Sequence, residues 1–470
     1  MNNSSVEMRF LTLEKIRTIH DKSIALLENY GMKVEGAEII DSLKAYGCRP
    51  KDGMISFPCA VVEKALASAP KEITLYNRDG HENMILNSRN NIYFGTHADQ
   101  AQILDFTDNR PRAFLKSDIK TMCHLSDALK NLHFIFTVGL CADVSPKVSS
   151  QVAFLETVKY FSKTINFSAN SVDAIQEIID MAAIVAGSYE NLGKKPFIFH
   201  FCEPVSPLAH SKESTGSLMI CAKNNIPVAY VPYTMMGATS PITIAGALVQ
   251  SNAEILAGLV MTQAVNPGAP FIYGAMPTIF DMVSTIGSYG APEFHKAIAA
   301  ASEIADYYQL PFYGTAGCTD AKTLDLQAVA EVQMGLLATL ASKANLVHDL
   351  GIMDHCNSVS PAMLVLANEM IDQLSAFGSA IDVNDESLAL DVIENVGAGG
   401  HFLHEMHTLK HFKELWYPKI FKRELEAPEE SEIKKRIKTA IEIMLKTEVE
   451  TLIPEKLQKL KAYEIKFAAV

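Results

Sequence analysis

The densest group of possible metal ligands in the chain is GGHFLHEMHT, residues 399 to 408, which holds three histidines and a glutamate. On a helix His401, His404 and His407 would share one face, because each residue turns the chain by about 100°. The zinc-protease motif needs two residues between its glutamate and its second histidine, but only Met406 separates Glu405 from His407. The spacing therefore favours histidines that pack or brace, and we expect no bound metal.

The composition excludes several classes of partner. The chain has 470 residues, 48% of them hydrophobic, which is enough to bury a large core. Its formal net charge is -13 and its pI is near 5.6, which argues against a nucleic-acid partner and against an anionic membrane surface. Small molecules and other proteins remain as binding partners.

The cysteines and the N-terminal sequence indicate a cellular location. The eight cysteines are scattered without a CxxC pair, which is unlike the disulfide framework of small secreted domains. The N-terminal stretch MNNSSVEMRFLTLEKI has no basic segment followed by an apolar run. We therefore expect a cytoplasmic protein without a membrane span.

A regular series of short apolar runs indicates the fold. Helical stretches separate the runs, an alternation typical of βα units with a parallel sheet. The spacing favours a (β/α)8 TIM barrel over residues 116–425, with FGSAIDV at residue 377 as the candidate eighth strand. No glycine-rich nucleotide motif is present, so we expect no nucleotide cofactor. The seven runs are FIFTVG at 134, INFSAN at 165, FIFHF at 197, VAYVP at 228, FIYGA at 271, FYGTAG at 312 and LVHDL at 346.

The residue patterns of two flanking segments differ from the pattern of the barrel segment. Residues 1–115 begin with a helical pattern and continue as short alternating strands, so we predict a mixed α+β cap. Residues 426–470 are charged and rich in lysine, which is typical of solvated helices. We predict a C-terminal helical extension there.

The barrel prediction also points to functional positions. Active sites of TIM barrels lie at the carboxyl ends of the strands. The polar, aromatic and glycine residues that follow the predicted strands are therefore the first candidates. They are Ser168, Asn170, His200, Glu203, Pro232, Tyr233, Met276, Gly317, Asp320 and His348.

Three stretches carry a resemblance to a known family. They are PYTMMGATSPITIAGALVQSNAEILAGLVMTQAVNPGAPFIYG at 232–274, GTAGCTDAKTLDLQAVAEVQMG at 314–335 and GAGGHFLHEMHTLKHFKELWYP at 397–418. Together they resemble the trimethylamine methyltransferase-like family, whose members pass a methyl group from a methylated amine to a corrinoid held by a separate protein. The resemblance covers most of the chain, and it implies a (β/α)8 barrel.

The resemblance also implies a substrate class. Trimethylamine enzymes of this family carry pyrrolysine, whereas this chain has standard residues throughout. It is similar to the branch without pyrrolysine, whose members demethylate quaternary amines. Glycine betaine is the first choice of methyl donor, with proline betaine or carnitine as alternatives. The corrinoid (cobalamin) cofactor would come on a cognate partner protein, and we also expect a homo-oligomer.

Specific roles follow if the chain binds a betaine. Aromatic faces attract a quaternary cation by roughly 0.5 to 2 kcal/mol each, and a carboxylate needs hydrogen-bond donors. We assign the cation to Tyr93, Phe94 and Tyr233, and the carboxylate to His348 or Lys322. Glu203 and Asp320 complete the predicted substrate-binding set, with the cap of the following helix as the alternative role of Asp320. The supporting residues are Gln327, Glu331, His401, His404 and His407, the three histidines bracing the barrel mouth.

Two other functions remain open at this point. A barrel lyase or hydrolase could use His348 with Asp320 or Glu203 as acid and base. A non-catalytic betaine-binding protein would keep the cation site without methyl transfer.

Overall fold

The computed structural model shows a closed barrel of eight parallel strands, which confirms the predicted fold class. It describes residues 6–88, 91–96, 99–423, 425, 432–448 and 450–470. Each strand pairs with the next along the chain, and the eighth pairs with the first. The strands are β1 Tyr93–Gly95, β2 Leu132–Phe136, β3 Thr164–Phe167, β4 Ile198–Cys202, β5 Val228–Tyr230, β6 Phe271–Gly274, β7 Phe312–Thr315 and β8 Leu346–His348.

A helix follows each strand and covers the outside of the barrel. Polar side chains begin several of these helices: Ser171, Asp325 and Ser360 each accept a hydrogen bond from a first-turn amide. Gly187 ends the third helix in the left-handed region. The helices are α1 Lys116–Ala128, α2 Ser149–Tyr160, α3 Val172–Ala186, α4 Lys212–Lys223, α5 Ile244–Val265, α6 Pro292–Tyr307, α7 Leu326–Ser342 and α8 Pro361–Gly378.

The eighth barrel strand is not the one that the sequence predicted. Phe377 ends helix α8, and Ile381 lies exposed in a segment without a strand, so FGSAIDV forms none. The barrel closes instead through β1, in which Tyr93 pairs with Leu346 of β8 and Phe94 pairs with Leu132 of β2. Strand β1 therefore lies within the segment predicted as a cap, and the boundary at 115 stays a prediction.

The rest of the N-terminal segment encloses the barrel. Helix Leu13–Asn29 packs against α5, and hairpin Glu72–Tyr76/Glu82–Asn87 bonds to residues at the amino ends of β2, β3 and β4. This hairpin covers the amino-terminal end of the barrel. The other elements here are helices Ala37–Tyr46 and Cys59–Ser68, hairpin Arg49–Lys51/Met54–Ser56 and the parallel pair Lys33–Val34/Ala209–His210.

Two small sheets flank the opposite end of the barrel, which we call the mouth. One joins Met235–Met236, Thr278–Asp281 and Ile286–Ser288, and the other joins Gln102–Leu104, Pro111–Ala113, Ile352–Met353 and Ser358–Val359. Their strands come from loops that follow β1, β5, β6 and β8. The mouth is therefore bordered by ordered β-structure.

The C-terminal helices of the chain pack on the outside of the barrel. Helix Glu432–Met444 packs against α8 and α1, and helix Pro454–Ala468 packs against α2 and α3. Residues 426–431, at the start of the predicted extension, lie outside the described residues. Residues 379–417, which we call the arm, contain the short helices Asp385–Leu388, Leu390–Val396 and Met406–His411 and a 3-10 turn at Phe412–Glu414.

Helix α5 is apolar and long enough, by composition, to cross a membrane. In the fold, however, 78% of its most apolar window is buried within the protein. Its composition is explained by its place in the core.

Candidate functional site

A cavity of about 610 Å3 opens at the mouth, and we call it the mouth cavity. Its walls come from the carboxyl ends of β2, β3 and β4 and from the helices that follow them. Four residues selected from the strand-end rule line it: Ser168, Asn170, His200 and Glu203. The cavity thus lies where barrel enzymes keep their active sites.

The charged groups of the cavity wall are acidic. Asp99, Glu203 and Glu213 line it, and no lysine or arginine is found among its described lining residues. His200 adds no positive charge, because burial lowers its pKa to about 4 and its Nδ1 lies 3.1 Å from the Phe167 carbonyl. The cavity therefore favours a cation over an anion at its centre.

Two helix N-termini meet the same cavity and provide hydrogen-bond donors. Ser149 and Ser150 open helix α2, and the N-cap Val148 makes no side-chain bond to the first-turn amides. Ser211 caps helix α4, and Ser214 follows in its first turn. Because helix N-termini carry partial positive charge, they suit a carboxylate. Glu213 lies in the first turn of α4, whereas the first turn of α2 holds no acidic residue, so the α2 N-terminus is the region of the cavity that suits the anionic end of a zwitterion.

A group of aromatic rings lies beneath the cavity, inside the barrel. Phe201 lines the cavity with one side and packs on Phe136, Tyr313 and His348 with the other, at ring-centroid distances of 5.2, 5.8 and 5.8 Å. His348 stacks on Tyr313 at 4.6 Å. We call Phe136, Phe201, Tyr313 and His348 the aromatic box. Sequence reasoning did not select the two phenylalanines as site residues.

His348 is fully buried, and both of its ring nitrogens have polar neighbours. Its Nδ1 lies 2.8 Å from the Gly314 carbonyl, which can only accept, so this nitrogen carries a hydrogen. Its Nε2 lies 3.4 Å from Oδ1 of buried Asp349. The imidazole and the Asp349 carboxylate are therefore close neighbours in the barrel interior.

The backbone at Asp349 supports a special role for this pair. Asp349 has φ +83°, a conformation that costs a residue with a side chain about 1–2 kcal/mol. Such strain is retained mainly where the position of a side chain matters for function. Burial, followed by the Asp349 carboxylate, raises the pKa of Tyr313 well above its ordinary value, so the phenol stays protonated. The Asn166 amide is 2.7 Å from that phenol oxygen.

Two aromatic residues predicted to bind the cation lie elsewhere. Tyr93 is buried toward the amino-terminal end of the barrel, where the Ile85 amide donates to its hydroxyl and its ring meets His133 edge-to-face at 5.1 Å. Phe94 is wholly buried in β1. The structure brings neither ring to the mouth cavity, because β1 is a barrel strand whose side chains pack into the core.

Asp320 and Glu331 hold three mouth loops together, an arrangement that we call the loop clamp. Asp320 accepts hydrogen bonds from the Tyr289 amide at 2.7 Å and from the Ser288 hydroxyl, and His355 Nδ1 lies 3.1 Å away. Glu331 in turn accepts from the Asp320 amide at 2.9 Å. These bonds join the loops after β6, β7 and β8. The cap of helix α7, considered for Asp320, is Asp325.

The other predicted residues of this side lie around the clamp. Gln327 donates to Glu331 at 2.8 Å, whereas the Lys322 side chain is exposed, with its amine 3.5 Å from Asp354. Tyr233 is half-buried, and its hydroxyl lies against Gly287. A Cβ atom built on Gly287 would be only 2.7 Å from that hydroxyl. Burial raises the pKa of Tyr233 to about 12. Their roles in substrate binding stay predictions.

The loop clamp gives a prediction about Asp320. Because its carboxylate is occupied by loop partners, Asp320→Asn should lower the free energy of unfolding by about 1–3 kcal/mol and leave KM for the substrate nearly unchanged. Urea denaturation and steady-state kinetics measure the two effects, with Asp281→Asn in the exposed turn Asp281–Thr285 as the control. A large rise in KM at unchanged stability would instead make Asp320 a substrate contact.

The histidines of GGHFLHEMHT lie in the arm, away from the mouth. The helix there begins at Met406, so His401 and His404 precede it and the three histidines do not share a helical face. The His401 and His404 rings are 5.2 Å apart, and the His407 ring lies 4.5 Å from that of His411. Within the described ranges no group of three or more histidine, cysteine or acidic residues is arranged to hold a metal ion.

Comparisons with known proteins agree with this architecture. The family model described as trimethylamine methyltransferase (MTTB) matches residues 1–465. A glycine betaine methyltransferase of Desulfitobacterium hafniense strain Y51 is 29% identical over 409 residues, which cover 87% of this chain and 85% of that protein. Trimethylamine methyltransferase MttB of D. hafniense strain DSM 10664 / DCB-2 is 30% identical over 419 residues, 88% of this chain and 83% of that protein.

A solved structure is similar in fold. The crystal structure of Methanosarcina barkeri monomethylamine methyltransferase (MtmB) aligns with 92% of both chains at a TM-score of 0.50. The sequences are 12% identical, so this similarity concerns the fold alone.

Proposed function

The chain belongs to the trimethylamine methyltransferase family, and from that premise we propose that it demethylates a quaternary amine, with glycine betaine as first choice. The methyl group passes to the cobalt(I) corrinoid of a partner protein, and dimethylglycine is released. Proline betaine and carnitine remain alternative donors. A cytoplasmic location is part of the proposal.

The observation that carries this proposal is the charge arrangement of the mouth cavity. Glycine betaine is a zwitterion, and its ammonium group fits a wall charged by Asp99, Glu203 and Glu213. Its carboxylate fits the helix N-terminus at Ser149, whose first turn holds no acidic residue. A simple trialkylamine would use only one of these two regions.

The aromatic box takes over the cation role that the sequence gave to Tyr93 and Phe94. Phe201 offers the cavity a ring face backed by Phe136 and Tyr313. An aromatic face suits this reaction because the cation loses its charge as the C–N bond breaks. Strong binding of the cation would favour the ground state over the transition state. A moderate attraction of roughly 0.5–2 kcal/mol per ring avoids that loss.

The residues of this chain align the substrate and exclude water. The partner's corrinoid supplies the cobalt nucleophile that takes the methyl carbon. The nitrogen leaves as a neutral amine with the bonding electron pair, so no acid or base is needed. His348 serves as a positioning residue that keeps Phe201 and Tyr313 in place. The rim beside the cavity exposes Leu140 and Val205, which leaves an apolar approach for a corrinoid face.

The acidic wall gives a prediction about substrate affinity. Glu203→Lys should raise KM for glycine betaine by about 10-fold or more, because a like charge then faces the cation. The effect should shrink in high salt. Glu203→Gln should raise KM less and leave kcat unchanged or higher, since it weakens the ground state selectively.

The matched control is Glu190→Lys on the outer helix Tyr189–Lys194, where the same charge change lies outside the cavity. Its KM should equal that of the wild-type protein. Equal KM values for Glu203→Lys and Glu190→Lys would place the substrate elsewhere.

The reaction itself is tested with free cobalamin held as cobalt(I). We expect its absorbance to change to that of methylcobalamin with glycine betaine, and more slowly or not at all with choline and trimethylamine. Proline betaine and carnitine complete the panel. Tight binding of a betaine without transfer, even with the cognate corrinoid protein, would favour a binding protein. A reaction that proceeds without corrinoid would favour a lyase or hydrolase.

A further inference from the structure

We propose that the arm, residues 379–417, is the contact through which two copies of this chain associate. Twelve large apolar side chains between Ile381 and Tyr417 are at least 43% exposed. Among them are Leu390, Leu403, Met406 and Phe412. The surface of the arm is therefore more apolar than is usual for solvent-exposed helices.

The arm lacks the internal packing that would keep it folded alone. Its three helices have 4, 7 and 6 residues, and none contains a buried residue. Helices of this length do not persist in water without packing. The arm is tied internally by Glu386, which pairs with Lys410 and His411, but exposed ion pairs contribute little. A stable arm therefore requires an apolar cover.

The size of the surface fits a second copy of the chain. Twelve partly exposed side chains of this size present on the order of 1,000 Å2 of apolar area, whereas monomers rarely expose a patch above about 600 Å2. A standard interface takes about 800 Å2 from each partner, and homodimers use more apolar ones. Phe402, Met406, Phe412 and Tyr417 are of the residue types enriched at such interfaces.

The position of the arm separates it from the mouth. Helix α8 begins near the mouth, where the Ser360 amide donates to Gly351. Its residues Asn368 and Asp372 already bond to Asn131, at the amino end of β2. The arm therefore leaves α8 at the end of the barrel opposite the mouth cavity.

The corrinoid protein is accordingly a poor candidate for the cover. It must approach the mouth and must leave after each transfer, so it would expose the arm in every cycle. A second copy is always present at the same concentration and can remain bound. The arm histidines would also take part in this contact. They add flat, amphipathic rings to the interface between the two copies, and they are His401, His404, His407 and His411.

Sedimentation velocity of the full chain tests the proposal. At micromolar concentration the wild-type protein should sediment as a dimer or a larger assembly, and the variant Leu403→Glu/Met406→Glu should sediment as a monomer with an unchanged circular dichroism spectrum. Leu326→Glu, an equally exposed position on α7 outside the arm, is the matched control and should remain assembled. A monomeric wild-type protein, or equal disruption by the control, would overturn the proposal.

A second measurement needs no variant. The chain has one tryptophan, Trp416, which lies within the arm. Dilution of the wild-type protein should shift its fluorescence to longer wavelength at the concentration where sedimentation shows dissociation. Dissociation without any change in Trp416 emission would place the interface elsewhere and would overturn the proposal.

Discussion

His348→Ala should reduce methyl transfer by about 100-fold or more, because displaced groups in a reaction site commonly cost that factor. Removal of the imidazole leaves a gap between Phe201, which lines the mouth cavity, and Tyr313 beneath it. It also deprives buried Asp349 of the ring nitrogen 3.4 Å from its carboxylate. Loss of a fully buried aromatic ring costs about 3–5 kcal/mol, so we expect a matching fall in the free energy of unfolding.

A matched variant separates the two effects. His133→Ala also removes an imidazole that packs on a tyrosine ring, but this one is half-buried and lies at the amino-terminal end of the barrel beside Tyr93. It should lower stability while kcat/KM stays near the wild-type value at a temperature where both proteins are folded. Near-wild-type kinetics for His348→Ala under the same conditions would remove the aromatic box from the site.

Acid should unfold the protein well above the pH at which its carboxylates titrate. Burial lowers the pKa of His133 and His210 to about 3 and that of His200 and His295 to about 4. In the unfolded chain a histidine has a pKa near 6.5, so below that pH the unfolded state binds more protons. Each histidine then removes up to about 1.4 kcal/mol of stability per pH unit as pH falls from 6.5 toward 4.

Together the four histidines should cost about 5 kcal/mol by pH 5.5, which is comparable to the whole stability of many domains. Urea denaturation at several pH values between 5 and 8 measures this slope. His295→Gln, which removes one of the four titrating groups, should reduce it by about a quarter. A free energy of unfolding that does not change between pH 7 and 5 would contradict the lowered pKa values.

The barrel was predictable because seven of its strands are local apolar runs. FIFTVG, FIFHF and the other five runs each form a barrel strand where expected. Strand β1 could not be assigned to the barrel in this way, because it lies among the short strands of the N-terminal segment. Its place is fixed by pairing with β8, about 250 residues away in the chain, and such long-range pairing leaves no local pattern.

The strand-end residues that line the cavity could be predicted from the sequence, whereas the two phenylalanines of the aromatic box were missed. The strand-end rule selected Ser168, Asn170, His200 and Glu203, all of which line the mouth cavity. It missed Phe136, the last residue of β2, and Phe201, the residue before the last of β4, whose rings pack inside the barrel. The available signal was the two-residue alternation of Phe134 with Phe136 and of Phe199 with Phe201, which places each pair on one side of its strand.

The arm histidines were predicted to share a helical face, and the structure shows that they do not. Their spacing suggested a shared helical face, but the helix begins only at Met406, after His401 and His404. Gly397 and Gly399 have positive φ, and Gly400 follows them, so the chain just before these histidines turns repeatedly. The helical period applies only to residues that lie within a helix. Glycines immediately before the histidines disfavour a helix at that place.

Tracing one methyl group tests the central claim most directly. The protein is mixed with cob(I)alamin, or with the cognate corrinoid protein in its cobalt(I) form, and with glycine betaine labelled with carbon-13 in its methyl groups. The proposed function predicts that labelled methylcobalamin and dimethylglycine appear in equal amounts, and that the Glu203→Lys variant forms both more slowly at limiting substrate. Absence of label on cobalt with every betaine, even with the cognate corrinoid protein, would contradict it.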